Sequence, residues 1–344
     1  MKKQLFIFFS ATILAIASSC TSADEDIIAE KNIENIENLE SQDHITIPIT
    51  DSIKKFGAYN ALGYGYNVTG EYADANSTAL KIIDTDKFKI ENPSRLSDET
   101  VLSQEQKDEY GKDAASFSEM ISKKVEATKL LQVYGKTIPF ASAKLNNQTF
   151  DKSYIYGSYN MIIKLKRFRY NATAELLSNY LTSNFLNDIE EKTPEQIVQD
   201  YGTHVSVDIY TGAKVDMIFQ AKTTNHDRER AARIGVRTYL NDVNNNEIDA
   251  IEAAKNYEKK LYYKTRGGDY SKAKAGIFNL DKKTPTISFT DWQSTVTKEN
   301  SVLVDFGDSG LVIIYDLVKD PIKKAKLKFY IDNYLIKNQV TLAS

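Results

Sequence analysis

Residues 193–220 read TPEQIVQDYGTHVSVDIYTGAKVDMIFQ, and this stretch decides the fold. Thr193, Pro194 and Gln196 make a helix start: a hydroxyl N-cap, a proline in the first turn, and a capping-box partner three residues on. Tyr201-Gly202 predicts where that helix ends, because glycine takes up the left-handed conformation that closes a helix. A period-2 pattern follows. Val205, Val207, Ile209, Thr211, Ala213, Val215, Met217 and Phe219 share one face; Ser206, Asp208, Tyr210, Gly212, Lys214, Asp216, Ile218 and Gln220 share the other. Such a run spans about 50 Å, against roughly 17–20 Å for an ordinary strand. A strand of that length must twist and bend, and Gly212 is where bending costs least. The pattern predicts a large, bent antiparallel sheet.

Outward from it, Tyr154 to Tyr170 alternates in the same way and predicts a second long strand. Leu177, Leu181, Phe185 and Ile189 recur every four residues and predict one helix with an apolar stripe. Val302 to Leu317 reads as strand broken at Gly307 and Gly310. Asp320-Pro321 then starts a final helix carrying Ile322, Ala325, Phe329 and Leu335. No Pro/Gly/Ser-rich break divides residues 51–344, so they read as one α+β domain.

The N-terminus is different in kind. Lys2 and Lys3, the apolar run Leu5 to Ile16 and the small residues Ala17, Ser18 and Ser19 form a secretory signal over residues 1–19. Cys20, the one cysteine, stands at the cleavage point; the arrangement resembles a bacterial lipobox and implies lipidation there. Asp24-Glu25-Asp26 resembles the export tag of some Bacteroidetes lipoproteins, and residues 20–50 read as an acidic, flexible tether. The expected location is lipid-anchored at the outer membrane and cell surface, or secreted. The 344 residues are 42% hydrophobic and 26% charged, enough for one large core or two modest ones. A net charge of −3 gives no general attraction to polyanions and argues against nucleic acid as a partner. A single cysteine excludes an intrachain disulfide and a cysteine-based zinc site.

Ile197-Val198-Gln199-Asp200-Tyr201-Gly202-Thr203-His204-Val205, followed by Gly212, resembles the signature of the membrane attack complex/perforin (MACPF) family. Three further features stand in that family's order. Leu62-Gly63-Tyr64-Gly65-Tyr66-Asn67 resembles the first strand of its bacterial members, Arg266-Gly267-Gly268-Asp269 looks like the Gly-Gly pair opening its fourth core strand, and Trp292 with Leu311 to Leu317 resembles its closing strand and helix. The resemblance covers roughly residues 58–337. It implies a central bent, twisted, four-stranded antiparallel sheet flanked by two helical clusters, placed here at about 100–152 and 221–263. In the family each cluster unfurls into an amphipathic β-hairpin after ring assembly. The implied function is a pore-former, used as an antibacterial toxin like the antimicrobial MACPF proteins of Bacteroidales. Its partners are copies of itself in a ring-shaped homo-oligomer and a target membrane or its surface receptor. A non-lytic adhesion or host-interaction lipoprotein on the same fold is the alternative.

Barrel strands that cross lipid need about 9–11 alternating residues each. Ile234, Val236, Thr238 and Leu240 alternate with Arg233, Gly235, Arg237 and Tyr239, making this arm the candidate membrane hairpin, with a turn-rich tip at 241–246. The return arm instead reads as a helical face of Ile248, Ile251, Ala254 and Tyr257. In the first cluster Glu119, Lys123 and Lys129 share parity with Phe117, Ile121, Val125 and Leu131. A charge facing lipid there costs about 2–4 kcal/mol at the midplane. Gly267 and Gly268 are candidate hinge residues, since glycine tolerates dihedral changes closed to other residues.

Two enzymatic or metal motifs fail. Gly307-Asp308-Ser309-Gly310 matches the nucleophile motif of chymotrypsin-like proteases, but none of His44, His204 and His226 stands in that family's setting. Asp242 to Glu247 begins like a calcium loop, but it lacks the sixth-position glycine and has Ala253 where the closing carboxylate belongs. No catalytic residue, metal ligand or cofactor is expected. Tyr201 reads as a buried anchor, and His204 as a packing residue rather than a pH switch.

Overall fold

A computed structural model describes residues 44–46, 56–123, 149–239, 247–282 and 287–343. In chain order the strands are β1 (His44–Thr46), β2 (Tyr64–Tyr66), β3 (Thr78–Lys81), β4 (Leu96–Gly111), β5 (Thr149–Phe150), β6 (Tyr154–Tyr170), β7 (His204–Ser206), β8 (Asp208–Thr223), β9 (Asn256–Arg266), β10 (Ala275–Asn279), β11 (Val302–Phe306), β12 (Leu311–Ile313) and β13 (Thr341–Leu342). The helices are α1 (Thr85–Glu91), α2 (Ala114–Lys123), α3 (Ala174–Leu177), α4 (Ser183–Glu191), α5 (Pro194–Tyr201), α6 (Arg228–Tyr239), α7 (Glu247–Ala253), α8 (Thr290–Gln293) and α9 (Pro321–Lys337).

Four long antiparallel strands, β9-β8-β6-β4, form the platform, within a sheet ordered β1-β10-β9-β8-β6-β4 in which β11 also pairs with β8. The expected α+β architecture is present, with short strands added to the four-stranded centre. A smaller sheet, β12-β7-β2-β3, packs with α4, α5 and α9 around Tyr66, Phe185, Tyr201, Leu317 and Ile331. A second core lies on one face of the platform, where Val215, Phe219, Leu261 and Trp292 meet Ala232 and Val236 of α6.

The platform bends along one line. The β4/β6 register slips between Thr100 and Ser103, opposite Lys166 and Lys164, and Leu102 has φ 52°. The β6/β8 register slips between Lys164 and Lys166, opposite Gly212 and Thr211. On the far edge of β8, pairing with β11 ends at Gly212 and pairing with β9 begins at Lys214. Bulges tighten twist and turn strands, so three aligned irregularities kink the whole sheet.

Several sequence expectations need correcting. The alternating run breaks at Val207: β7 belongs to the small sheet and β8 to the platform, because Val207 N–H donates to Gly310 O (2.8 Å) instead of joining the ladder. The stripe Leu177–Ile189 is two helices, since Thr173 and Thr182 each cap a separate start and Leu181 bridges to Ile83. Leu62–Asn67 contains only β2 of the small sheet; the first platform strand is β4. Residues 100–111, placed in the first helical cluster, are therefore strand. The second cluster is narrower than 221–263, because β8 runs to Thr223 and β9 starts at Asn256. Gly267 and Gly268 follow the end of β9 rather than opening it.

Candidate functional site

Each helical packet sits between the ends of two neighbouring platform strands. β4 ends with Gly111 opposite Tyr156 of β6, and residues 112–153 lie between these strands. β8 ends with Thr223 opposite Asn256 of β9, and residues 224–255 lie between them. Both interruptions fall at the same end of the platform, and the packets take opposite faces. In α2, fully buried Phe117 stacks on Tyr156 with ring centres 6.1 Å apart. In α6, Val236 lies over Gly157, where a Cβ would come within 2.3 Å of its methyl, and Gly235 fits over Phe219 at the same distance. Tyr156 and Gly157 are consecutive strand residues and so face opposite ways.

Asp227 starts α6 by accepting from Arg230 N–H (3.0 Å). Arg228 then ties the packet to the platform's end, donating to the carbonyls of Lys112, Lys152, Ser153 and Tyr154 at 2.9–3.1 Å. Arg237 pairs with Asp108 of β4 at 3.2 Å, and Tyr110 donates to the same carboxylate. Burial and that bond push the Tyr110 hydroxyl up to about 12. Of the candidate hairpin residues, Ile234 and Val236 are buried in α6, while Thr238 is exposed and donates back to Ile234 O at 2.7 Å. Leu240, the 241–246 tip and Cys20 lie outside the described residues. The predicted return-arm helix is present as α7, which carries Ile248 and Ile251, but it is shorter than expected: Ile251 is 64% exposed, and Tyr257 belongs to β9.

The signature segment acts as a socket. Thr193 and Gln196 form the capping box of α5, and Gly202 closes the helix with φ 72°. Tyr201 O–H donates to Asp188 (2.8 Å), and its ring meets Phe185 edge-on. Lys192 bridges Asp188 and Asp200 at 2.9 and 2.7 Å. Thr203 N–H donates to Tyr66 O (3.0 Å), seating β2 against the segment. The chains approach so closely that a Cβ on Gly65 would fall 2.0 Å from Tyr201 O. His204 lies within bonding distance of Thr203 Oγ1 (2.9 Å), and burial holds its imidazole down to about 3, as befits a packing residue.

At the bend, Gly267 and Gly268 have φ 73° and 75°, and a Cβ on Gly267 would meet Gly212 O at 2.6 Å. Trp292 Nε1 donates to Gly267 O at 2.7 Å. Charges that the sequence reading left unassigned are buried on the platform's second face. Asp305 takes Lys107 (2.8 Å), Lys164 (3.0 Å) and the Tyr72 hydroxyl (2.8 Å). Burial alone would raise its carboxyl; Lys164 and Lys107 outweigh that and hold it well below the usual range. Arg266 joins Asp216 (2.7 Å) and Asp74 (3.4 Å), and Arg167 pairs with Asp208 (2.5 Å). Alternation of Asp208, Lys214 and Asp216 on one strand was the available signal, but not who pairs with whom. The Gly307–Gly310 turn sits on Asp208, whose carboxylate is engaged by Arg167 rather than by a histidine. Among the described residues no cluster of His, Cys, Asp and Glu is arranged to hold a metal.

The family model of the MAC/Perforin domain matches residues 55–342. Among solved structures, a protein with a MAC/Perforin domain from Bacteroides thetaiotaomicron superposes with a TM-score of 0.68 at 16% identity, over 85% of this chain and 65% of that one. GNIP1Aa from Chromobacterium piscinae superposes with a TM-score of 0.62 at 16% identity, over 82% and 56%. The chain thus spans less than two thirds of either neighbour's length. No curated protein sequence matches it. With the bent four-strand platform, the paired helical packets and a family match over nearly all described residues, the chain belongs to the MAC/Perforin domain family.

Proposed function

We propose that this chain is a non-enzymatic pore-forming protein that assembles with its own copies into a ring on a target membrane, inserts its packets as β-hairpins, and serves as a toxin against competing bacteria. The observation that carries the reading is the place of the packets. Each one interrupts two strands already paired up to the point of departure, Gly111 with Tyr156 and Thr223 with Asn256. Continuing either ladder requires no change of topology. Residues 224–255 supply roughly fourteen positions per arm, and a tilted strand needs about 9–11 to cross. Once extended, Ile234, Val236 and Thr238 fall on one side and Arg233, Gly235 and Arg237 on the other. A lipid on Cys20 would hold the protein at the producing cell's surface until release or contact, and a head-to-tail interface would close the ring.

The test locks α6 to the platform. Asp108→Cys and Arg237→Cys, bridged by a short bis-maleimide, should abolish dye release from vesicles of target-cell lipid, while a reducible bridge should restore it on cleavage. Undiminished leakage from the bridged protein would overturn the reading. A non-lytic adhesion protein is the second reading, favoured by Glu119 in the first packet. It expects cell attachment with no leakage from any membrane.

A further inference from the structure

We propose that α9 lays its outer face on an anionic lipid surface. A helix on the outside of a domain needs one apolar stripe, turned to the core; α9 has two. Leu327, Ile331 and Leu335 are buried in the core that Tyr66 and Tyr201 share. On the nearly opposite side Ile322, Phe329 and Ile336 are 67%, 75% and 53% exposed. By helix geometry these three form one line about 21 Å long. Of the four apolar residues that the sequence reads onto this helix, Ile322, Ala325, Phe329 and Leu335, only Leu335 is buried. Left in water, the second stripe stabilises nothing in the fold, and an exposed apolar line of this kind marks a contact made outside the chain.

The charges beside the stripe select the partner. Residues 319–337 carry six lysines and two aspartates, in a chain whose net charge is −3. Lys323, Lys324 and Lys328 are paired, with Glu190, with Asp316 at 3.0 Å and with Asp332 at 2.7 Å. Lys326 and Lys337, which flank the stripe along one edge, are exposed and have no partner among the described residues. Free ammonium groups beside an outward apolar line repel a second copy of the same face and attract anionic headgroups, between which the stripe can sink. Among the described residues no helix is long and apolar enough to cross a membrane, so α9 lies on the surface rather than through it. α9 shares its core with Val205 of β7, which leads into the first residue of β8. The second packet departs from the other end of β8, sixteen residues and roughly 50 Å of strand away. Docking through α9 is therefore a separate event from hairpin insertion.

The test uses the mature chain with Cys20→Ser, so that no acyl anchor contributes. It is sedimented with vesicles containing phosphatidylglycerol and with vesicles of phosphatidylcholine alone. The protein should bind the first and not the second, and added salt should release it. The pair Lys326→Gln and Lys337→Gln should weaken binding about thirtyfold. Phe329→Ser, at an exposed position, should weaken it about tenfold without changing thermal unfolding. With the one native cysteine gone, an environment-sensitive fluorophore on Asn333→Cys, within the stripe, should shift to the blue on the anionic vesicles. Protein whose α6 is bridged to the platform through Asp108→Cys and Arg237→Cys should bind as well as the unbridged protein, which keeps this test apart from the pore reading. Equal binding to both kinds of vesicle, binding to neither, or binding that survives all three substitutions overturns the proposal. So does binding to poly-glutamate without binding to vesicles, which would assign the face to an acidic protein, or a dimer that Phe329→Ser dissolves, which would assign it to a second copy.

Discussion

At Gly212 a Cβ would fall 1.8 Å from the Ile163 carbonyl oxygen, so the bend depends on the missing side chain. Gly212→Ala should cost about 2–4 kcal/mol in urea denaturation, because backbone must move, while Gly57→Ala, where a Cβ meets nothing within 4 Å, should stay within about 0.5 kcal/mol. His204 sets a pH dependence. Its imidazole is held at about 3 against an ordinary 6.5, so the folded state keeps it neutral while the unfolded chain takes up a proton. Its contribution is complete above pH 6.5 and is lost progressively as pH falls from 6.5 toward 3. The slope is about 1.4 kcal/mol per unit. His204→Gln should flatten this part of the stability profile, measured by denaturant melts at about pH 7.5 and about pH 5. Gly202 was legible by itself, since ending a helix is a local job, whereas Thr203 seats Tyr66 of a strand distant in sequence and carried no local signal.

Among the elements, α5 and β6 were the easiest to read and β4 the hardest. The Thr193 capping box is complete within four residues of chain, and Thr193→Ala should lower stability by about 1 kcal/mol. The bounds of β6 coincide with the alternating run Tyr154–Tyr170. The sequence of β4, LSDETVLSQEQKDEYG, has almost no apolar alternation. It forms a strand because β6 supplies its hydrogen bonds along the full length and charges such as Lys107 and Glu105 find partners on neighbouring strands. β6, β8 and β11 are held together by buried charge as well as by their ladders. Asp305→Ala should cost about 1.5–3 kcal/mol by removing the buried carboxylate that Lys164 and Lys107 share, Lys164 keeping only Glu105 at 2.9 Å, and the double change Asp305→Leu with Lys164→Met should recover most of it.

For the whole molecule, the bent platform carries both strand interruptions at one of its ends. Arg228 is the main polar tie between the second packet and the strand ends, with four carbonyl acceptors. Arg228→Ala should raise amide exchange across 228–239 about tenfold, through easier local opening, and should speed dye release while leaving exchange in β8 near the bend unchanged. Faster exchange in both regions would mean that packet and platform open together. The sequence pointed to the packets but misplaced their limits, because a helix-to-strand boundary inside polar chain leaves no local mark: residues 100–111 and 256–263 became strands only through their neighbours.

Caps, stop glycines and period-2 alternation act within a few residues, so the chain by itself determined the α5 helix with its glycine stop, the β6 strand and an α+β fold with a bent sheet. Strand order, the line of the bend, the division of the 204–223 run between two sheets and the pairing of Asp305 with Lys164 were decided only by the tertiary structure. The reason is physical: a buried charge or a hydrophilic strand is tolerated only when partners distant in sequence satisfy it, and no local pattern records which partners those are.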